Sequence, residues 1–155
     1  MKITRATDYA VRVLVQLATV PDEGKMQLNA LAMATGVRET FLSKILQRLA
    51  HQGLVSSHRG TGGGFCLRVL PSKITLLQVV EAMEGRTQLN VCLGEGDSCD
   101  RKFFCSSHPV WQEAQAALTK VLANVSIAQL AEETAVKQRQ VFEAALQASQ
   151  SPSVS

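Results

Sequence analysis

The chain has 155 residues, 46% of them hydrophobic and 19% charged, with a net charge of +3. This suits one soluble globular domain, or one small domain with an appendage. No stretch approaches the ~20 apolar residues that a membrane-spanning helix needs, so no membrane association is expected. The opening MKITRATDYAVRVL has neither the apolar run nor the cleavage site of a signal peptide, and a cytoplasmic location is expected. In that reducing setting the four cysteines point to metal binding or redox chemistry rather than structural disulfides.

Charge is unevenly spread. Residues 1–70 hold nine Lys/Arg against four Asp/Glu, and residues 71–155 hold seven against nine. A basic first half joined to a mildly acidic second half suggests a polyanion-binding module attached to something else. TRATDYAVRVLVQLATV has Tyr9, Ala10, Val13, Leu14 and Leu17 at helical spacing, with Thr4 as a plausible N-cap. After the turn PDEGK, QLNALAMATG makes a short helix stopped at Gly36. RETFLSKILQRLAHQG makes another, with Phe41, Leu42, Ile45, Leu46 and Leu49 as its apolar stripe and Gly53 closing it. Two short helices around a tight turn are the pattern of a helix-turn-helix.

LVSSHRGTGGGFCLRV then reads as two strands flanking an Arg/Gly loop, the wing of a winged helix. Arg59, Gly62 and Gly63 suit close approach to a phosphate-lined groove. The glycine run lacks the flanking strand–loop–helix and the GK[ST] of a nucleotide-binding loop. A recognition helix presents its N-terminal residues to base edges, which assigns Arg38, Thr40, Ser43 and Lys44 to DNA contact. Cys66 alternates with Phe65 and Leu67 and is expected to be a small buried hydrophobe.

In the second half, SKITLLQVVEAMEG is an amphipathic helix led by Ser72 or Thr75 and ended by Gly85. PVWQEAQAALTKVLANV, residues 109–125, opens with Pro109 in its first turn, where proline is tolerated best. Its Trp111, Ala114, Leu118, Val121 and Val125 form a coiled-coil-like seam, expected to pair with a copy of itself in a homodimer. Packing against the helix at 75–84 is the alternative. SIAQLAEE is expected to be a short last helix, followed from Thr134 by a polar, flexible tail. Two recognition helices in a dimer would read a pseudo-palindromic promoter sequence in double-stranded DNA.

Between these helices lie Cys92, Cys99 and Cys105, spaced C-x6-C-x5-C. Structural zinc knuckles are usually tighter, whereas a wide glycine-containing loop can wrap an iron–sulfur cluster. Zinc and a bare thiol switch stay open as alternatives. A fourth ligand would come from His108, three residues beyond Cys105, or from Asp8 in the first turn of the first helix. The absence of C-x-x-C beside a βαβ unit argues against a thiol enzyme, so no catalytic residue is assigned.

Taken together, TDYAVRVL, GLVSSHRGTGGGF, SKITLLQVVEAMEG and the three-cysteine loop followed by SHPVW resemble a family of bacterial winged-helix regulators. That family includes the iron–sulfur-cluster-assembly regulator and the nitric-oxide-sensing repressor. The resemblance runs from Met1 to about Glu133 and implies a homodimeric DNA-binding transcription factor, usually a repressor. It implies one 2Fe–2S or 4Fe–4S cluster per chain, held by Cys92, Cys99 and Cys105, and a signal of nitric oxide, redox state or iron–sulfur status. The fourth ligand would be His108, as in the assembly type, or Asp8 of the partner chain, as in the nitric oxide sensor, with Asp8 slightly favoured. The first cysteine gap is longer than in either type, and Arg38 replaces a small polar cap. The expected fold is mainly α with a small β-hairpin wing. A winged helix-turn-helix at 1–70 is followed by a dimerisation and cluster region at 71–133, with cysteine loop 92–105 and long dimerisation helix 109–125. A tail follows at 134–155.

Overall fold

The computed structural model describes residues 3–21, 24–94 and 99–150, so part of the first turn, loop positions 95–98 and the tail end 151–155 lie outside it. Six helices and one hairpin follow in order: α1 (Arg5–Ala18), α2 (Leu28–Thr35), α3 (Glu39–His51), β1 (Val55–His58), β2 (Gly64–Leu67), α4 (Leu76–Glu84), α5 (His108–Ala123) and α6 (Ile127–Gln150). Single 3-10 turns lie at Pro71–Lys73 and Val91–Leu93.

The periodic apolar residues of the first three helices meet in one core. Ala10, Val13, Leu14 and Leu17 of α1 pack with Leu31 of α2 and with Leu42, Ile45, Leu46 and Leu49 of α3. Gly36 ends α2 in the left-handed conformation, which sets the tight turn into α3. The hairpin is antiparallel, pairing Val55 with Leu67 and His58 with Gly64. Met26 extends it, since Met26 and Phe65 exchange backbone bonds of 2.9 and 2.8 Å. That anchors the wing to the α1–α2 connection.

The core does not stop at residue 70. Ile74, Val79, Ala82, Met83 and Ile127 belong to the same buried cluster. Thr75 caps α4 in a reciprocal capping box with Gln78, which explains its start better than Ser72 does. The stretches entering α4 and α6 also bond to each other, through Leu76 N–H to Val125 O and Ile127 N–H to Ile74 O.

Three expectations need correction. The segment from Thr134 is not an irregular tail as far as Gln150, because α6 continues through it as a 24-residue helix. Its residues have good intrinsic helix propensity, and its first turns are anchored by buried Ile127 and Ala131. Cys66 is only half-buried, because the two-stranded wing has no layer covering its second face. Phe41 stands 40% exposed beside the apolar stripe and packs edge-on against Tyr9. Apart from these three, α5 buries Leu122 alone, and Trp111 and Val121 of the seam expected to face a second copy are 41% and 63% exposed.

Candidate nucleic-acid interface and cysteine site

Burying the stripe of α3 forces its other face outward. Arg38 is the N-cap, its carbonyl accepting the N–H groups of Phe41 and Leu42. Arg38, Thr40 and Lys44 are exposed and Ser43 is half-buried. Arg38 and Thr40 also line a cleft between α1 and α3 with Arg5, Tyr9 and Phe41. Arg5 adds a cation that helical periodicity alone leaves as an ordinary surface residue. On the wing Arg59 and Gly62 are exposed and Gly63 is half-buried. Gly63 serves the loop itself, because a Cβ there would sit 2.4 Å from the His58 carbonyl oxygen.

The first turn of α1 is wired toward this face. Asp8 is exposed and pairs with Arg12 at 2.8 Å. Arg12 lies over the Tyr9 ring at 5.5 Å, and Tyr9 meets Phe41 of α3 edge-on at 5.8 Å. An exposed pair of this kind contributes little stability and leaves the carboxylate reachable.

The cysteine segment is held by side-chain-to-backbone bonds rather than by a core. Gln115 of α5 donates to Thr87 O at 2.6 Å and accepts from Leu89 N–H at 2.8 Å. Thr87 N–H in turn donates to Glu81 of α4 at 3.1 Å. Asn90 caps the 3-10 turn that carries Cys92. Cys92 and His108 line one shallow cavity with Lys102, Gln112 and Gln115. The Nδ1 atom of His108 is buried and has no hydrogen-bond partner among the described residues.

Cys105 precedes α5, and its carbonyl accepts the His108 N–H at 3.2 Å. The Ser107 hydroxyl, 3.1 Å from the sulfur, holds the thiol pKa below its usual value, helped by backbone N–H groups and Arg101. Cys99 is half-buried, while the neighbouring Phe103 and Phe104 are 87% and 76% exposed. Among the described residues, no three His, Cys, Asp or Glu side chains are gathered around one point where a metal ion could sit. Cys92 and His108 thus share a site, Cys99 and Cys105 are not drawn to it, and Asp8 of the same chain lies on the helix-turn-helix. The fourth cysteine, Cys66, stands on the wing with its sulfur 3.4 Å from His58 Nε2.

Two further residues matter that periodicity does not mark. Glu84, at the end of α4, accepts from Thr4 N–H at 3.0 Å, from the Thr4 hydroxyl at 2.7 Å and from the buried Thr7 hydroxyl. Arg48 of α3 donates through Nε to the Ala82 carbonyl at 3.1 Å.

A helix-turn-helix with an outward basic N-terminal face on its second helix, followed by an antiparallel wing, defines a winged-helix DNA-binding regulator. The chain belongs to the Rrf2 family, described as iron-dependent transcriptional regulators, which it matches over residues 3–133. It is 29% identical to the HTH-type transcriptional regulator IscR of Aliivibrio salmonicida, across 94% of this chain and 88% of that protein. The Klebsiella pneumoniae IscR is 30% identical across 84% and 79% of the two chains. Among solved structures, CymR, the global cysteine regulator of B. subtilis, superposes with a TM-score of 0.69 at 26% identity, covering 86% and 98% of the chains. IscR of T. potens superposes at 0.68 with 24% identity, covering 86% and 88%, a likeness of fold. The protein is thus a DNA-binding transcriptional regulator of the Rrf2/IscR type and not an enzyme. No helix among the described residues is long and apolar enough to cross a membrane.

Proposed function

We propose that this regulator binds pseudo-palindromic promoter DNA as a homodimer, as a repressor, and that Cys92, Cys99, Cys105 and His108 hold one iron–sulfur cluster per chain. The observation that carries the ligand set is that His108, whose buried Nδ1 has no hydrogen-bond partner among the described residues, lines the same cavity as Cys92. Thiolates and an imidazole are the donors such a cluster takes, and an unsatisfied buried nitrogen is otherwise costly. Cys99 and Cys105, both half-buried, would complete the ligand set. Asp8 of the partner chain is the competing fourth ligand, and its exposure leaves it available.

When bound, the cluster would supply a centre that nitric oxide, oxidants or iron shortage can alter. The chain's own residues do the rest. Gln115 and Glu81 hold the segment leading to Cys92 against α5 and α4. Arg38, Thr40, Ser43 and Lys44 would face base edges, and Arg59 with Gly62 and Gly63 would track the backbone. The exposed Trp111 and Val121 on α5 support a helix-to-helix dimer contact that spaces the two recognition helices.

The test is a visible spectrum of protein purified without oxygen, with iron and acid-labile sulfide counted per chain. Wild type and Asp8→Ala should be coloured with matched iron and sulfide, and His108→Ala should lose both. Loss in Asp8→Ala alone would transfer the ligand to the partner's Asp8. A chain that stays colourless after anaerobic reconstitution with iron and sulfide would remove the cluster. The reading then left is a thiol switch, or a zinc site, at the same cysteines. The low-lying Cys105 thiol favours the switch, and a structural relative, Staphylococcus aureus CymR, is known in an oxidized form at 25% identity and a TM-score of 0.65.

A further inference from the structure

We infer that Glu84 is the residue that couples the cysteine segment to the DNA-reading helices, by completing the N-terminal cap of α1 from 80 residues away. The inference rests on the sensing role proposed above and assigns it a physical route.

The start of α1 is capped in an unusual way. Thr4 is the N-cap, but its side chain makes no capping bond to its own helix. In a capping box, a Glu or Gln at the third helical position reaches back to the N-cap N–H. Here that position is Thr7, whose side chain is too short to do so. Glu84 supplies the missing carboxylate, accepting the Thr4 N–H, the Thr4 hydroxyl and the Thr7 hydroxyl. Thr7 is 1% exposed, so its hydroxyl has no ready access to water if Glu84 withdraws.

Two separate observations make this cap a coupling element rather than a local staple. Arg48 binds the Ala82 carbonyl, so the same end of α4 is fastened to the recognition helix as well. On its other side, α4 leads through Gly85 into Thr87, Leu89 and Cys92, a segment pinned to Gln115 and Glu81. A displacement of the cysteine loop therefore reaches the end of α4, and from there loosens α1 through Glu84 and α3 through Arg48. Uncapping α1 frees the turn that carries Asp8 and Tyr9, and Tyr9 packs on Phe41 of α3.

The experiment compares promoter-DNA affinity of the full chain before and after blocking the loop thiols with iodoacetamide, in a Cys66→Ala background. It uses Glu84 unchanged, Glu84→Ala, and Glu84→Ala combined with Thr7→Glu. With Glu84 unchanged, the two states should differ by ~5–150-fold, the usual span of coupled sites. In Glu84→Ala the difference should fall below about 3-fold, well under that span. The combined variant builds an ordinary capping box within α1. It should recover thermal stability yet keep the small affinity difference, because the cap no longer touches α4. Recovery of both would make Glu84 a structural cap only and overturn the inference, as would an unaltered difference in Glu84→Ala.

Hydrogen exchange keeps the two readings apart and needs no variant to fold. With Glu84 unchanged, blocking the loop thiols should speed exchange in the first turns of α1. If DNA affinity does not respond to blocking but this exchange does, the sensing role fails and the coupling stands. If the exchange is unmoved, the coupling is wrong whatever the DNA result.

Discussion

Replacing Gly64 with alanine tests how the wing is held. Gly64 has φ of +153°, a region that residues with a Cβ rarely enter. A Cβ there would lie 2.6 Å from the Met26 carbonyl oxygen and 2.9 Å from its carbon, both backbone atoms that cannot swing away. Relief requires Met26 and β2 to part, which breaks the two bonds between Met26 and Phe65. Strain of ~1–3 kcal/mol and two backbone bonds at ~0.5–1.5 kcal/mol each give a loss of roughly 2–6 kcal/mol. Gly36→Ala is the control, because Gly36 has φ of +69° but nothing within 4 Å of a Cβ, so only about 1–2 kcal/mol of left-handed strain applies. Urea unfolding of both variants at one protein concentration, read as midpoint shifts at unchanged slope, gives the comparison. Equal losses in the two variants would refute the steric argument. Promoter binding should also weaken more in Gly64→Ala, since the wing carrying Arg59 loses its anchor.

Arg59→Ala should weaken DNA binding about equally for all sequences and lower the salt slope by about 1, whereas changes at Thr40 or Lys44 should shift base preference. Anisotropy titrations across salt and operator variants separate the two. Glu84 makes a pH prediction. Burial works to raise its pKa, but hydrogen bonds from Thr7 and Thr4, together with Arg48, outweigh it and hold the carboxyl below its ordinary value. A folded pKa below the unfolded one contributes stability that is fully present above the unfolded value of about 4.3 and is lost as pH falls through the folded value. Glu84→Gln should therefore flatten the acid side of the stability curve and leave its dependence near neutrality unchanged. Val121→Glu should convert the dimer to monomer by light scattering if α5 pairs with its copy. A dimer that survives would move the interface elsewhere.

Glu84, Arg48 and Gln115 show where sequence reasoning stops. On their helices they read as ordinary polar positions, and their partners lie 80, 34 and 28 residues away. Thr75 and Gln78, by contrast, cap α4 across three residues, and that pairing is written in the local order of residue types. The end of α6 fell between these cases. Its polar, Gln-rich composition suggested a loose tail, while its helix-forming residues and buried anchor carried the helix on.

The amino-acid order alone determined the helices of the DNA-binding part, the wing and the outward face of α3, because each depends on spacing of two to four residues within one element. It also placed three thiols on one loop. Only the tertiary structure decided that His108 shares a cavity with Cys92, that Cys66 leans on His58, and that α4 grips both α1 and α3. The meetings of His108 with Cys92 and of α4 with α1 and α3 join separate elements and are set by how the shared core brings helices together, whereas Cys66 meets His58 diagonally across one hairpin, through the register of its strands.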